Sequence, residues 1–284
     1  MRYHLTSALA ATRVGELTEL GLSDWHDGLA EKLAPATVNR TATCLKAALN
    51  LAARLDPRLR QNSSAWKIPL AAIPDAEESR NVILVDDTVC HLVIEAPAIG
   101  PAFALLVEVA ALTGARYSQI CRLVVGDLQT GDEPRLMMPA SRKGKGTKKV
   151  SHRPVPISKD LANRLSAAAA GRPSSEPLLL KGYGSRWLKS DHSRPFRRLA
   201  RRCQLDPAEV TIYALRHSSI VRQLIRAVPT RVVAVNHDTS VVEIESTYSR
   251  YITDHTDAVS RAGLLDIAAA PATGNIVPIA ARTK

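Results

Sequence analysis

Apolar residues return at helix-like intervals along most of the chain. Leu17, Leu20, Leu22, Trp25 and Leu29 outline a first helix, with Ser23 as its expected N-cap before Asp24. Pro35 suits the start of a second helix. Val38, Leu45, Leu49 and Leu51 supply its apolar stripe, and Thr37, Asn39, Arg40, Thr41, Thr43 and Lys46 its polar, partly basic side. Residues 67–85 break this rhythm with two prolines and an acidic cluster, as an interdomain linker does. The run 101–113 is apolar nearly all round, which predicts a helix at the centre of a core, ended by Gly114. The period then changes. Runs at 135–138 and 153–157 read as short strands around a Gly/Lys-rich tip, predicting a hairpin or small sheet with a long basic loop. Helices resume at 158–170 and at 186–204, where Arg194, Arg197 and Arg201 form a positive stripe opposite Phe196 and Leu199. A later helix carries Ile220, Val221, Leu224 and Ile225. Ser240-x-x-Glu243 reads as a capping box opening a last one, with Ile244, Tyr248 and Tyr251 on one face. The fold class expected is mainly α with a small β-sheet or hairpin. A helical region over 1–70 and a linker over 71–84 precede an α+β domain over 85–262 and a flexible tail over 263–284.

Composition narrows the function. The 284 residues hold 38 Lys and Arg against 27 Asp and Glu, a net charge of +11. Such an excess suggests a polyanionic partner, usually nucleic acid; an uninvolved basic surface is the alternative. Cys44, Cys90, Cys121 and Cys203 lie far apart, without a CxxC or Cys/His metal spacing, and read as reduced thiols of a cytoplasmic protein. No apolar run reaches the roughly 18 residues of a membrane span, and the N-terminus lacks the continuous apolar region of a signal peptide. No P-loop and no carboxylate cluster suited to two metals is visible, so no cofactor is expected.

The chemistry concentrates in residues 211–252. An Arg216-His217 pair heads an amphipathic run; His237 follows in an Asn-His-Asp turn; Tyr248 and Tyr251 stand three residues apart. Arginine, histidine and tyrosine together in a very basic chain suggest chemistry on a phosphodiester. Arg116, directly after the apolar helix, needs an anionic partner there, either a buried carboxylate or a substrate phosphate.

These residues resemble those of the tyrosine recombinases, the phage-integrase family, from about Leu33 to Ile252. Leu112-Thr113-Gly114-Ala115-Arg116-Tyr117-Ser118 is similar to the box of the first catalytic arginine. Tyr213-Ala214-Leu215-Arg216-His217 is similar to the second box, usually His-x-x-Arg-His. His237-Asp238-Thr239-Ser240 with Tyr248 is similar to the last histidine and the nucleophile. The resemblance implies a helical core-binding domain, short for the family as a truncated one would be, that clamps DNA through Thr37, Asn39, Arg40 and Lys46. It also implies a catalytic domain of the DNA breaking-rejoining type. Arg116 and Arg216 would hold the scissile phosphate with planar, permanently charged donors. His237 would donate a hydrogen bond to it, Tyr248 would attack, and His217 would brace the site or the proton acceptor. A hairpin lysine would protonate the leaving oxygen: Lys143, with Lys145 as the alternative. Lys145, Lys148, Arg194, Arg197 and Arg201 would contact the DNA backbone.

Two positions depart from the family. Tyr213 stands where histidine is usual, and Gln119 near where an acidic residue often supports the site, so a supporting charge is expected to be missing. The implied activity is site-specific cutting and rejoining of double-stranded DNA through a 3′-phosphotyrosyl link, by a homo-tetramer on two sites. A type IB topoisomerase-like relaxase and a catalytically impaired DNA-binding relative are the alternatives.

Overall fold

In a computed structural model of the chain, the residues described are 4–74, 76, 81–141, 151–251, 260, 261 and 264. The chain divides into two compact units, Met1–Arg80 and Asn81–Lys284. No described helix is long and apolar enough to cross a membrane.

The first unit is helical: α1 (Ser7–Ala11), α2 (Glu19–Ala30) and α3 (Pro35–Leu55), followed by short 3-10 turns through Trp66. Thr18, rather than Ser23, caps α2, its hydroxyl accepting from the Gly21 amide at 3.2 Å. Ser23 lies inside the helix, because the helix begins one turn earlier than the tryptophan-centred pattern suggested. Leu22, Trp25 and Leu29 pack with Val38, Leu45, Leu49 and Trp66 into one core. Leu20 and Leu51 face outward at 72% and 46% exposure. Each sits beside, not on, the line its neighbours trace at 3.6 residues per turn.

The second unit starts with α4 (Asp86–Glu95) and α5 (Pro101–Thr113). Phe103, Leu106, Val107, Val109, Ala110 and Ala111 of α5 are buried, as a helix apolar on nearly every side requires. After the single turn α6 (Tyr117–Ile120) comes an antiparallel sheet in the order β1 (Leu128–Gln129), β2 (Arg135–Pro139), β3 (His152–Pro156). Leu136 pairs with Val155, and both point into the core. Helices α7 (Lys159–Ala169), α8 (Ser193–Arg202), α9 (Ile212–Ile225), α10 (Thr230–Asn236) and α11 (Val241–Tyr248) complete the unit. The basic helix read over 186–204 is thus confined to its second half. Val82, Ile83 and Leu84, read as linker from the sequence, pack on the cores of this unit, and the Leu84 amide donates to Ser218 Oγ at 2.8 Å. An apolar Val-Ile-Leu run gains more from burial than from serving as a solvated connector.

Two cores share α9. Ile212, Ala214 and Leu215 of its first half belong to the main core around α5. Ile220, Val221 and Leu224 of its second half pack with Val233, Ala234, Ile244 and Tyr248 of α10 and α11. Between the two apolar stretches lie Arg216, His217, Ser218 and Ser219, all buried.

Candidate active site

Buried polar groups must find partners, and Arg216 and Ser219 in the middle of α9 find them on two neighbouring turns. Arg216 donates from Nη1 to the Gly114 carbonyl at 2.9 Å and from Nη2 to the His237 carbonyl at 2.7 Å. Arg116, just past the end of α5, donates from Nη1 to the Asp238 carbonyl at 2.9 Å and to the His237 carbonyl at 3.4 Å. The two guanidiniums, a hundred residues apart in sequence, therefore converge on one carbonyl oxygen. Nε of Arg116 is buried and has no hydrogen-bond partner in the protein. Gly114 makes the approach possible. Its φ is +57°, and a Cβ there would stand 2.6 Å from His237 Nε2 and 2.7 Å from Ser219 Oγ. Both the backbone conformation and the space require glycine.

His237 ends α10, fully buried. Its Nδ1 lies 2.9 Å from the Val233 carbonyl and its Nε2 lies 3.1 Å from Ser219 Oγ. A carbonyl only accepts, so Nδ1 carries the proton, and in the neutral ring Nε2 accepts from the serine hydroxyl. Burial, then the charges of Arg216 and Arg116, hold this histidine's pKa down at about 4. Burial and the Arg116 charge also lower the pKa of Arg216.

Tyr248, at the end of α11, is buried, with its hydroxyl 2.6 Å from His217 Nδ1. Burial pushes the phenol up to about 12, while Arg216 and Arg116 pull it the other way. Burial and Arg216 lower His217 to about 4, which leaves its ring neutral at neutral pH. Tyr213, one turn before His217, places its ring edge against the imidazole at 4.9 Å between centroids and is 41% exposed. Tyr251 lies past the end of α11 and is half-buried against the smaller core.

One group at this site was recognised in the sequence only as part of a turn. Asp238 adopts φ +49° between α10 and α11, and its carboxylate is buried. Oδ1 lies 3.1 Å from Arg153 Nη2 on β3. Oδ2 accepts from the Ser141 amide at 2.5 Å and from Gln119 Nε2 at 3.3 Å, and lies 3.9 Å from Arg116 Nη1. The supporting charge expected to be missing at Gln119 is thus present beside it, on a residue 119 positions away. Arg153 and Ser219 likewise escaped the sequence reading. The available signals were an aspartate in a tight turn, where a left-handed residue is tolerated, and an arginine inside a short strand.

The structure brings Arg116, Arg216, His217, His237, Tyr213 and Tyr248 together, the arginines on the His237 carbonyl and His217 between Tyr213 and Tyr248. Lys143, Lys145 and Lys148 lie outside the described residues. Arg194, Arg197 and Arg201 are exposed on α8, whose Phe196, Leu199 and Ala200 face the core. In the first unit, Thr37 and Arg40 are exposed on α3. Asn39 uses both ends of its amide on the Ile73 backbone, at 2.9 and 2.7 Å, and Lys46 Nζ donates to the Lys67 carbonyl at 3.1 Å. These two side chains, expected on a DNA-facing side, hold the unit's own loop instead.

The arrangement combines permanent cations, buried donors and a phenol beside a neutral imidazole, which suits attack by an oxygen nucleophile on a phosphodiester. The fold is similar to that of the Tn1549 transposon integrase in complex with circular intermediate DNA. The TM-score is 0.70 at 17% identity, over 92% of this chain and 90% of that one. It is also similar to a lambda integrase dimer bound to a core site (0.65, 17% identity, 93% of this chain and 70% of that one). A third likeness is to the XerH site-specific recombinase in a post-cleavage complex (0.62, 16%, 86% and 71%). At these identities the likeness speaks for the fold. No curated protein matches the chain in sequence. The family model described as the phage integrase family matches residues 94–255, the stretch that carries both arginines, both histidines and Tyr248. The chain belongs to the phage integrase family.

Proposed function

We propose that this chain cuts and rejoins double-stranded DNA with Tyr248 as the nucleophile and Arg116 and Arg216 as the phosphate clamp. The observation that carries this reading is the 2.6 Å contact between the Tyr248 hydroxyl and His217 Nδ1, in the field of both guanidiniums. A phenol held near pKa 12 is a poor nucleophile until its proton has somewhere to go. His217, neutral and already within hydrogen-bond distance, accepts that proton as the oxygen attacks phosphorus. The tyrosyl oxygen–phosphorus bond forms, the bond to the 5′ oxygen breaks, and the 5′ oxygen takes a proton from Lys143. The 3′-phosphotyrosyl link stores the bond energy for rejoining to another 5′ hydroxyl.

The arginines meet the charge that builds on the non-bridging oxygens. His237 becomes a donor in the same step. Burial first and the two cations second keep the imidazole neutral; a phosphate next to Arg116 and Arg216 offsets the cations' share, and Nε2, taking a proton from solvent, turns from Ser219 to the phosphate. Tyr213, exposed at the mouth, donates its hydroxyl where the family more often has an imidazole. Of the three similar proteins described above, the integrase of the transposon is named in complex with circular intermediate DNA, the other two as bound to a core site and to a palindromic substrate. DNA is accordingly the partner proposed here, held by Thr37, Arg40, Lys145, Lys148, Arg194, Arg197 and Arg201. The working form proposed is a tetramer on two sites.

The test uses nicked suicide duplexes of randomised sequence and scores protein covalently attached to DNA on a denaturing gel. Wild type and Tyr251→Phe are expected to give an adduct and Tyr248→Phe none. An adduct that survives Tyr248→Phe would refute the assignment. Sedimentation of the wild-type adduct with paired duplexes reads the stoichiometry.

A further inference from the structure

We propose that Asp238 is a positioning residue that orients Arg116 and pins the root of the β2–β3 hairpin to the site. The inference rests on the reading of Arg116 as part of the phosphate clamp.

Its side chain is 5% exposed, and an ionised carboxylate at that depth is stable only with cations and donors around it. Among the described residues, partners from four places in the fold surround it. Arg153 on β3 approaches one oxygen. The Ser141 amide, two residues past β2, and Gln119 on α6 donate to the other. Arg116 stands 3.9 Å from that second oxygen while its Nη1 is also held by the backbone carbonyl of the same aspartate at 2.9 Å. One residue thus holds Nη1 of Arg116 by a main-chain hydrogen bond and places its carboxylate charge 3.9 Å from the same nitrogen. Together they favour the orientation in which Nε is left without a partner in the protein. Ser141 and Arg153 flank the hairpin on either strand, so the same carboxylate ties its two sides to the turn that follows His237.

Gln119 explains why the charge sits at 238. Its Oε1 accepts from the Arg116 amide at 3.2 Å, and its Nε2 donates to the Pro139 carbonyl at 2.7 Å as well as to Asp238. A carboxylate at 119 would set acceptor against acceptor at both Pro139 and Asp238. An amide at 238 would turn an N–H toward Arg153 or the Ser141 amide. Each single exchange is therefore unfavourable. Exchanging both, Gln119→Glu with Asp238→Asn, restores a donor–acceptor contact between the two side chains while the Pro139 carbonyl and the Ser141 amide still face like groups.

The experiment measures two quantities for wild type, Q119E, D238N, D238A and Q119E/D238N: the rate of adduct formation at saturating nicked duplex, and the midpoint of urea unfolding. D238N and Q119E are each expected to slow adduct formation by roughly 10²-fold, with DNA affinity held within about threefold, since Arg116 is misdirected and not removed. The double variant is expected to be slowed by less than the two single losses combined, because only the contact between 119 and 238 is restored. Its unfolding midpoint is expected to lie above the sum of the two single losses. D238N or D238A at wild-type rate, or losses that simply add in the double variant, overturn the proposal. If wild type forms no adduct on any duplex, the cleavage reading is what fails. The unfolding midpoints then still decide the geometry: coupling between 119 and 238 supports the shared carboxylate, and additivity refutes it.

Discussion

Helices α9 and α3 both interleave polar residues with leucines and valines, and they use them in opposite ways. On α9 the polar residues Arg216, His217, Ser218 and Ser219 form one unbroken run, buried between two cores. Each is tied to a defined partner: a carbonyl, a phenol, an amide or an imidazole. On α3 the polar residues face outward or serve the local chain: Thr41 bonds to the Thr37 carbonyl at 2.8 Å, and Asn39 holds Ile73. The difference lies in desolvation. A guanidinium taken out of water must be repaid in well-placed hydrogen bonds, which leaves few geometries open to it. A threonine or arginine at the surface has water as its alternative and can wait for a phosphate without being held in place. Residues that do chemistry gain from the first situation, and residues that only track a backbone can remain in the second.

If that contrast is right, Arg216→Ala should have the largest effect. It removes the donor from two buried carbonyls and a cation from the proposed clamp. Adduct formation on suicide duplexes should fall by at least about 10²–10³-fold, and urea unfolding should show a loss of roughly 2–4 kcal/mol. Wild-type cleavage by this variant would break the comparison outright. Gly114→Ala comes next. A methyl group placed against His237 and Ser219, on a backbone at positive φ, should cost roughly 2–4 kcal/mol by the same measurement. A cost near zero would mean that the site's side chains shift freely.

The pH dependence of stability sharpens the point further. His217 and His237 have folded pKa values lowered to about 4 from 6.5. The unfolded chain therefore binds their protons more tightly, and their contribution is complete above pH 6.5 and lost as pH falls towards 4. Each can account for up to about 3 kcal/mol over that window. Unfolding midpoints between pH 7 and 4 should drop steeply in wild type and less in His237→Asn.

The smallest effects belong to α3. Asn39→Ala leaves the Ile73 amide and carbonyl unpaired and should cost about 1–3 kcal/mol with little change in DNA affinity. Arg40→Ala should do the reverse. Stability should stay within about 0.5 kcal/mol, while the log–log salt slope of DNA binding, followed by fluorescence anisotropy, should fall by about 1.

Much of this molecule was legible in the residues. The all-round apolar run at 101–113 could only be a buried helix, and the period change at 134–157 could only interrupt the helices. The boxes around Arg116, Arg216 and His237–Tyr248 pointed to one chemistry because they occur together and in the order of the family they resemble. Helix boundaries were less legible. Ser23 looked like a cap and Leu20 and Leu51 like core, because a stripe read by eye tolerates an error of one position that a 100° turn per residue does not. Asn39 and Lys46 looked like outward polar groups because nothing local announces Ile73 or Lys67 as their partners.

Sequence alone determined the inventory: two arginines, two histidines, a tyrosine and their places on helices, since local periodicity and residue chemistry are properties of short stretches. Tertiary structure decided which of them meet. Only folding sets two guanidiniums on the His237 carbonyl, brings Tyr248 to His217 across 31 residues, and lets Asp238 supply a charge that the sequence seemed to lack beside Arg116. Contacts of that kind depend on how two cores stack along α9, and a buried charge accepts whichever partner the packing delivers.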